Sequence, residues 1–384
     1  MRVKQFWMRI SLGAALAAVF PPAVGATPQF ARRYQVDCTA CHSSPPRLNE
    51  GGLRFLAAGY RLEGRESYRT VPVALWHTAD LEWRHSADLV KGFPGRVELI
   101  ASGPVGKSRA AYFAEWRAVS LSLDGSGRRQ NRSGRFEDLF VRVPIGSDAQ
   151  WALTVGQFRT LSQVDVSLRL SLSEPLVFSS GLPGARSTDT RLTGLRAFSA
   201  SGRQPAVRAE YQLAKGRSPA DGWFAAATLP LTGELTIPLS DGASFEFEAR
   251  AKGVFLETYR RSGLTSVGAH AFVGDERRRL LTAVVTHDVG HRLAILAGIG
   301  TFHVLGVRDT RLSLGAEATI SPRIVGAIRL DHRTGQGRDP VVVLYGNGHL
   351  PFGPPSFRQA LRLQIEHRIQ PANHTTTFAL SHVF

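Results

Sequence analysis

Arg311-Leu312-Ser313-Leu314-Gly315-Ala316-Glu317-Ala318-Thr319-Ile320 places an apolar side chain at every second position, with Arg311, Ser313, Gly315, Glu317 and Thr319 between them. Period two is the signature of a strand whose two faces meet different surroundings. The same beat recurs in Pro205-Ala206-Val207-Arg208-Ala209-Glu210-Tyr211-Gln212-Leu213, from Ser244 to Lys252 around Phe245, Phe247, Ala249 and Ala251, and in Leu361-Arg362-Leu363-Gln364-Ile365. Two all-β architectures produce it: a soluble sandwich or propeller whose apolar face is a core, and an outer-membrane barrel whose apolar face meets lipid. Segments of about ten residues have the length a tilted membrane-spanning strand requires. No repeat of blade length is evident, and charged residues recur on the second face, as a watery lumen permits. The expectation is an all-β transmembrane barrel over residues 71–384.

At about ten residues per strand plus turns and loops, that region holds roughly 14 to 18 antiparallel strands, and an even number gives sixteen. Asp124-Gly125, Asp221-Gly222, Asp241-Gly242 and Asn347-Gly348 read as turns. Ser171–Asp189 and Thr334–Phe357, rich in Gly, Pro and Ser, read as loops. The chain closes on Thr377-Phe378-Ala379-Leu380-Ser381-His382-Val383-Phe384, which resembles the final strand of Gram-negative outer-membrane proteins, with their C-terminal aromatic.

The N-terminal 26 residues match the export pattern: Arg2, Lys4 and Arg9, an apolar stretch from Ile10 to Phe20, and a small-residue exit at Ala23-Val24-Gly25-Ala26. Residues 1–26 are thus expected to be a signal peptide, and Met1 and Met8, the only methionines among 384 residues, leave with it. No apolar run reaches the roughly 18 residues of a membrane-spanning helix. Hydrophobic residues at 43% and charged residues at 20% argue against global disorder. Net charge is +16, but the basic residues are scattered singly with no concentrated face, so nucleic acid is not an expected partner.

Both cysteines fall in Cys38-Thr39-Ala40-Cys41-His42. C-x-x-C-H is the attachment pattern of a c-type haem, with two thiols for the vinyl groups and His42 beneath the iron as proximal ligand. A plain disulfide leaves His42 unexplained. Without methionine the sixth position is a second His, a weaker ligand or open; His77 and His85 are nearest in sequence, with His270, His287, His291 and His303 farther away. Residues 27–70 are too few to bury a haem alone, so the segment needs walls from elsewhere, as a plug or lumen-associated element would have. A short helix is expected from Asn49 to Gly59, Asn49 capping it.

From Phe30 to Tyr60 the chain resembles the cytochrome–porin fusions of iron-oxidising bacteria: Cys38, Cys41 and His42 are succeeded by Pro46, Leu48, Asn49, Gly52, Phe55, Gly59 and Tyr60, while Gly51 and Leu56 depart from that family's pattern. The resemblance implies one covalent haem c in or beneath the barrel, carrying single electrons from extracellular Fe(II), or another external donor, toward periplasmic carriers such as soluble cytochromes. Glu246, Glu248, Glu317 and Glu366 offer hard oxygen ligands to Fe(II), and equally counter-ions to Arg250, Arg311 and Arg362. Two other functions fit the residues: an anion-selective porin whose haem is structural or sensory, and a haem enzyme with an open sixth position. The expected place is the outer membrane of a Gram-negative bacterium, among its lipids.

Overall fold

The computed structural model describes residues 28–44, 47–49, 51–52, 55, 58, 60–62, 72–85, 89–123, 129–131, 133–146, 150–159, 203–215, 218–231, 234–238, 244–248, 253–274, 279–290, 292–304, 307–334, 340–354, 359–370 and 373–383. The expected leader, the Ser171–Asp189 loop and the turns at Asp124 and Asp241 lie outside them.

Sixteen antiparallel strands form a closed wall. In chain order they are β1 (Val73–Arg84), β2 (Leu89–Pro104), β3 (Ala111–Leu123), β4 (Arg135–Ile145), β5 (Trp151–Arg159), β6 (Arg203–Lys215), β7 (Ser218–Pro230) and β8 (Gly253–Ser262). Then come β9 (Thr265–Gly274), β10 (Arg279–Val289), β11 (Leu293–Val304), β12 (Val307–Ser321), β13 (Ile324–Arg333), β14 (Val341–Phe352), β15 (Gln359–Gln370) and β16 (Asn373–Val383). Each pairs with the next, Arg129–Asn131 extends the β3–β4 hairpin, and β16 returns to β1 in a register that sets Val383 opposite Trp76 and Thr375 opposite Arg84. Closure leaves no wall edge unpaired, the condition for a sheet in lipid.

The alternation is inverted relative to a soluble protein. On β12, Arg311 is 0% exposed while Leu314, three residues on, is 43% exposed. Ile299 of β11 and Leu363 of β15 also point outward, whereas Ser313, Glu317, Gln364 and Glu366 are buried inside. A sandwich would bury the leucines, so the outward apolar face meets lipid. Aromatic rings rim this band: Trp151, Tyr211 and Trp223 form a chain with centroids 4.7 and 6.2 Å apart near one end, and Trp83 lies near the other. Such girdles mark the two interfaces.

The ends differ. Where β1 begins and β16 finishes, connections are short, as at 263–264 and 322–323; the opposite end carries the long connections 160–202 and 231–252. Short turns face the periplasm in barrels of this kind, so the mouth beside β1 is the periplasmic one.

Three expectations need correction. Phe245 and Phe247 do not belong to the wall: Ser244–Glu248 pairs only with Glu234–Pro238, in a separate hairpin at the extracellular end, because five residues are too few to cross. The stretch read as a loop from Thr334 contains all of β14, since Val341, Val342, Val343 and Leu344 supply enough strand-forming bulk to carry Gly346 and Gly348 within a ladder paired on both sides. Asp221-Gly222 sits inside β7, where the register against β6 slips between Ser218 and Gly222 and the glycine absorbs the bulge at φ 153°.

Candidate functional site

The cysteine segment starts with helix α1 (Pro28–Tyr34), which the sequence pattern does not announce. Pro28 opens it, where a missing N–H costs nothing, and Arg32 and Arg33 sit in its last turn, where cations favour the carbonyl end. Gln35 takes φ 53° and ends it. Asp37 then caps a 3₁₀ turn, Cys38–Ala40, its Oδ1 accepting from the Thr39 N–H at 3.3 Å, and the Cys41 N–H donates to the Cys38 carbonyl at 3.2 Å. Positions i and i+3 of a 3₁₀ turn eclipse, so the side chains of Cys38 and Cys41 leave it on the same side. The two thiols are not bonded to each other; Cys38 is buried and Cys41 half-buried, and burial pushes the Cys41 thiol up. His42 comes directly after, in a short strand (His42–Ser44) paired with Arg47–Leu48.

Asn49 ties the cysteine turn to the helical residues after it. Its N–H donates to the Cys41 carbonyl at 3.0 Å, its Nδ2 to the Thr39 carbonyl at 2.8 Å, and its Oδ1 accepts from the Gly52 N–H at 3.0 Å. The last bond is the expected N-cap, and Gly51, Gly52 and Phe55 behind it are helical. A Cβ on Gly51 would stand 2.3 Å from the Ala40 carbonyl oxygen, so the bare backbone there serves close approach to the cysteine turn itself. Four rings lock the segment: Phe30 meets Phe55 at 4.7 Å and Tyr60 at 5.1 Å, and Tyr34 meets Phe55 at 5.8 Å. The Tyr34 hydroxyl donates to the Tyr60 carbonyl at 2.8 Å.

This segment sits in the periplasmic mouth. Gln29 Nε2 donates at 3.0 Å to Ser102 Oγ, an inward-facing group of β2, and Arg32 Nη2 donates at 2.9 Å to the Val73 carbonyl of β1. Arg61 donates to the Gly106 and Ser108 carbonyls of the β2–β3 turn. On one side the buried Tyr60 phenol is raised well above its ordinary value by desolvation, with Arg142 of β4 opposing and Asp138 of β4 and Glu210 of β6 adding to it. On the other side His42–Ser44 runs beside β12, and His349 of β14 lies within electrostatic reach of His42 and Asp37. The segment thus bridges the lumen from the β12–β14 sector to the β4–β6 sector.

The inner wall is densely charged and densely paired. Arg311 meets Asp309 at 2.6 Å and Arg329 meets Asp331 at 2.8 Å; Arg117 joins Glu98 at 3.1 Å and Glu137 at 3.2 Å; Arg142 joins Glu210 at 2.8 Å. Arg208 lies 4.7 Å over the Phe158 ring. Glu317 and Glu366 face this interior, whereas Glu246 and Glu248 belong to the extracellular hairpin. Among the described residues no group of three or more His, Cys, Asp or Glu is arranged to hold a metal ion.

His77 and His85 do not approach the cysteine turn from the lumen. Strand parity sets them outward, because their neighbour Thr78 is the buried, inward residue; His85 stacks on Trp83 at 4.3 Å and bonds Thr376 Oγ1 at 3.1 Å at the extracellular rim. His287 and His303 are exposed and also face outward, His270 is inward and bonded to Thr282 Oγ1 at 2.9 Å, and His291 lies outside the described residues. His349, which sequence reasoning passes over, is 3% exposed, and its Nε2 has no hydrogen-bond partner among the described residues. Two thiols three residues apart on one turn and the imidazole directly after them fit a c-type haem, and buried His349 adds a second imidazole in the same mouth.

No family model matches the chain, and no curated protein matches it. Solved structures do. OmpF of Salmonella typhi, in complex with daunomycin, superposes with a TM-score of 0.54 at 10% identity, covering 81% of this chain and 97% of that one. An anion-selective porin from Comamonas acidovorans superposes at 0.51 with 12% identity, covering 82% and 99%. The chain has a porin-like fold, a closed sixteen-stranded antiparallel β-barrel.

Proposed function

We propose that this barrel is an outer-membrane electron relay that holds one haem c on Cys38, Cys41 and His42 and passes single electrons between an external donor, Fe(II) among them, and periplasmic carriers such as soluble cytochromes. The observation that carries the proposal is the seating of the C-x-x-C-H segment in the periplasmic mouth, where Gln29 bonds Ser102, Arg32 bonds the Val73 carbonyl and His42–Ser44 runs beside β12. When bound, the haem supplies a one-electron couple whose potential depends on axial ligation and burial. The residues present would do the rest: Cys38 and Cys41 anchor, His42 ligates, Asn49 and Gly51 hold the turn, and the four-ring cluster keeps the segment docked. Fe(II) as the donor rests on the inward carboxylates Glu317 and Glu366, whose hard oxygens suit that ion.

A second reading, an anion-selective pore with a structural or sensory haem, is favoured by the inward arginines Arg208, Arg311, Arg329 and Arg362 on a chain of net charge +16. One preparation separates the two. Detergent-solubilised protein from cells that mature c-type cytochromes is expected to show low-spin c-haem bands that Fe(II) reduces before dithionite is added, and little conductance in planar bilayers. Steady anion conductance with a haem that only dithionite reduces supports the pore. Absence of covalent haem overturns the relay.

A further inference from the structure

We propose that His349 is the sixth haem ligand, so that the haem is held between the plug segment and the barrel wall by His42 on one side and His349 on the other. This inference rests on the proposed haem at Cys38 and Cys41. His349 faces inward by strand parity: Tyr345 and Asn347, four and two residues back, are buried, while Leu344 and Leu350 are exposed to lipid. Its backbone N–H donates to the Arg323 carbonyl at 2.7 Å, which fixes it near the short-turn rim, the level at which the plug lies.

The ring is 3% exposed and its Nε2 has no partner among the described residues. A buried polar atom left unsatisfied is costly, so the unpaired nitrogen calls for a partner. Its polar neighbours are occupied with one another: Arg362 Nε donates to Asn347 Oδ1 at 2.6 Å, and Arg362 Nη2 donates to Tyr345 Oη at 3.2 Å. A neutral imidazole nitrogen is the ligand iron takes in haem proteins. Elimination points the same way. No methionine lies beyond Met8, which excludes a thioether. Of the described wall histidines, His77, His85, His287, His303, His332, His367, His374 and His382 lie on the outward parity, and inward His270 lies mid-strand on β9, away from the short-turn rim. Of the two inward histidines, His349 is the one fixed at the short-turn rim, where the plug docks on Ser102 and Val73.

The test compares wild type with His349→Ala, His349→Met, His77→Ala, His85→Ala and His270→Ala, each purified from cells that mature c-type cytochromes and each checked for barrel folding by its heat-dependent shift on a gel. Haem staining after denaturation reports attachment; absorption and electron paramagnetic resonance report ligation. Expected is a low-spin wild type, full loss of the low-spin signal in His349→Ala with its return on adding imidazole, and no change in the other three alanine variants. His349→Met is expected to stay low-spin with a raised potential, because Met/His ligation raises it. Attached haem that remains low-spin in His349→Ala, or loses that signal in His77→Ala, His85→Ala or His270→Ala instead, overturns the assignment while leaving the relay intact. A wild type without attached haem overturns the relay itself and His349's role with it. If His349→Ala does not fold, the potential of His349→Met decides: an unchanged value refutes ligation.

Discussion

Leu314 of the wall and Gly51 of the plug would tolerate change very differently. Leu314 needs only to be apolar, because its task is to face lipid from an outward position of β12. Gly51 has no room even for a methyl group, because the Ala40 carbonyl oxygen stands 2.3 Å from where Cβ would be. The wall is specified by a rule repeated over sixteen strands, and any one position carries little of it. The plug is specified by single contacts, each made once. Robustness therefore belongs to the wall and chemistry to the plug.

That contrast can be broken, most strongly by charging the lipid face. Ile299, midway along β11 and 49% exposed, is expected to cost about 2–4 kcal/mol as Ile299→Arg, the range for a basic side chain at the bilayer midplane, and under about 1.5 kcal/mol as Ile299→Leu. Urea titration of vesicle-reconstituted protein measures both. Next is Gly51→Ala, where forcing a methyl group against backbone costs about 1–3 kcal/mol within the plug. Its expected signature is a several-fold fall in haem staining per unit protein with an unchanged barrel transition. If the barrel transition falls as far as in Ile299→Arg, wall and plug are one cooperative unit and the contrast fails.

Asn49→Ala removes a cap and a tether together, a loss of about 1 kcal/mol for the cap. It should speed hydrogen exchange at Gly52 without touching wall amides. The smallest effect concerns pH. Burial raises the Tyr60 phenol, so the folded plug keeps that proton after the unfolded segment has lost it; the stabilisation is complete below the ordinary tyrosine value of about 10 and declines as pH climbs past it. Protection factors of plug amides, with the intrinsic base-catalysed exchange divided out, should fall through that window in wild type and stay flat in Tyr60→Phe.

How much of this is legible in the sequence obeys the same division. Period two yields the strands of the Arg311 and Pro205 stretches, the outward sense of their apolar faces and the count of sixteen, because a lipid-facing wall imposes one local rule everywhere. The rule misleads at Phe245, where alternation serves a small hairpin, and at Gly346 and Gly348, whose turn-like composition conceals β14. The cysteine pattern and the Asn49 cap are readable because they act within a few residues. His349 is not, because its relation to His42 spans most of the chain and depends on the parity of a strand that reads as a loop. Helix α1 escapes for a humbler reason: seven residues ending near two arginines carry too little periodicity to register.

The seam between β16 and β1 has a consequence for how the molecule must be made. The plug precedes the first strand of the wall, and the last strand of the wall shuts the cylinder beside it. Once shut, Cys38 is buried in the plug within the mouth. A synthetase bulky enough to work on that thiol cannot reach it there. For the proposed haem, attachment would have to be completed on the open chain, which sets an order of assembly: the plug is finished before β16 meets β1.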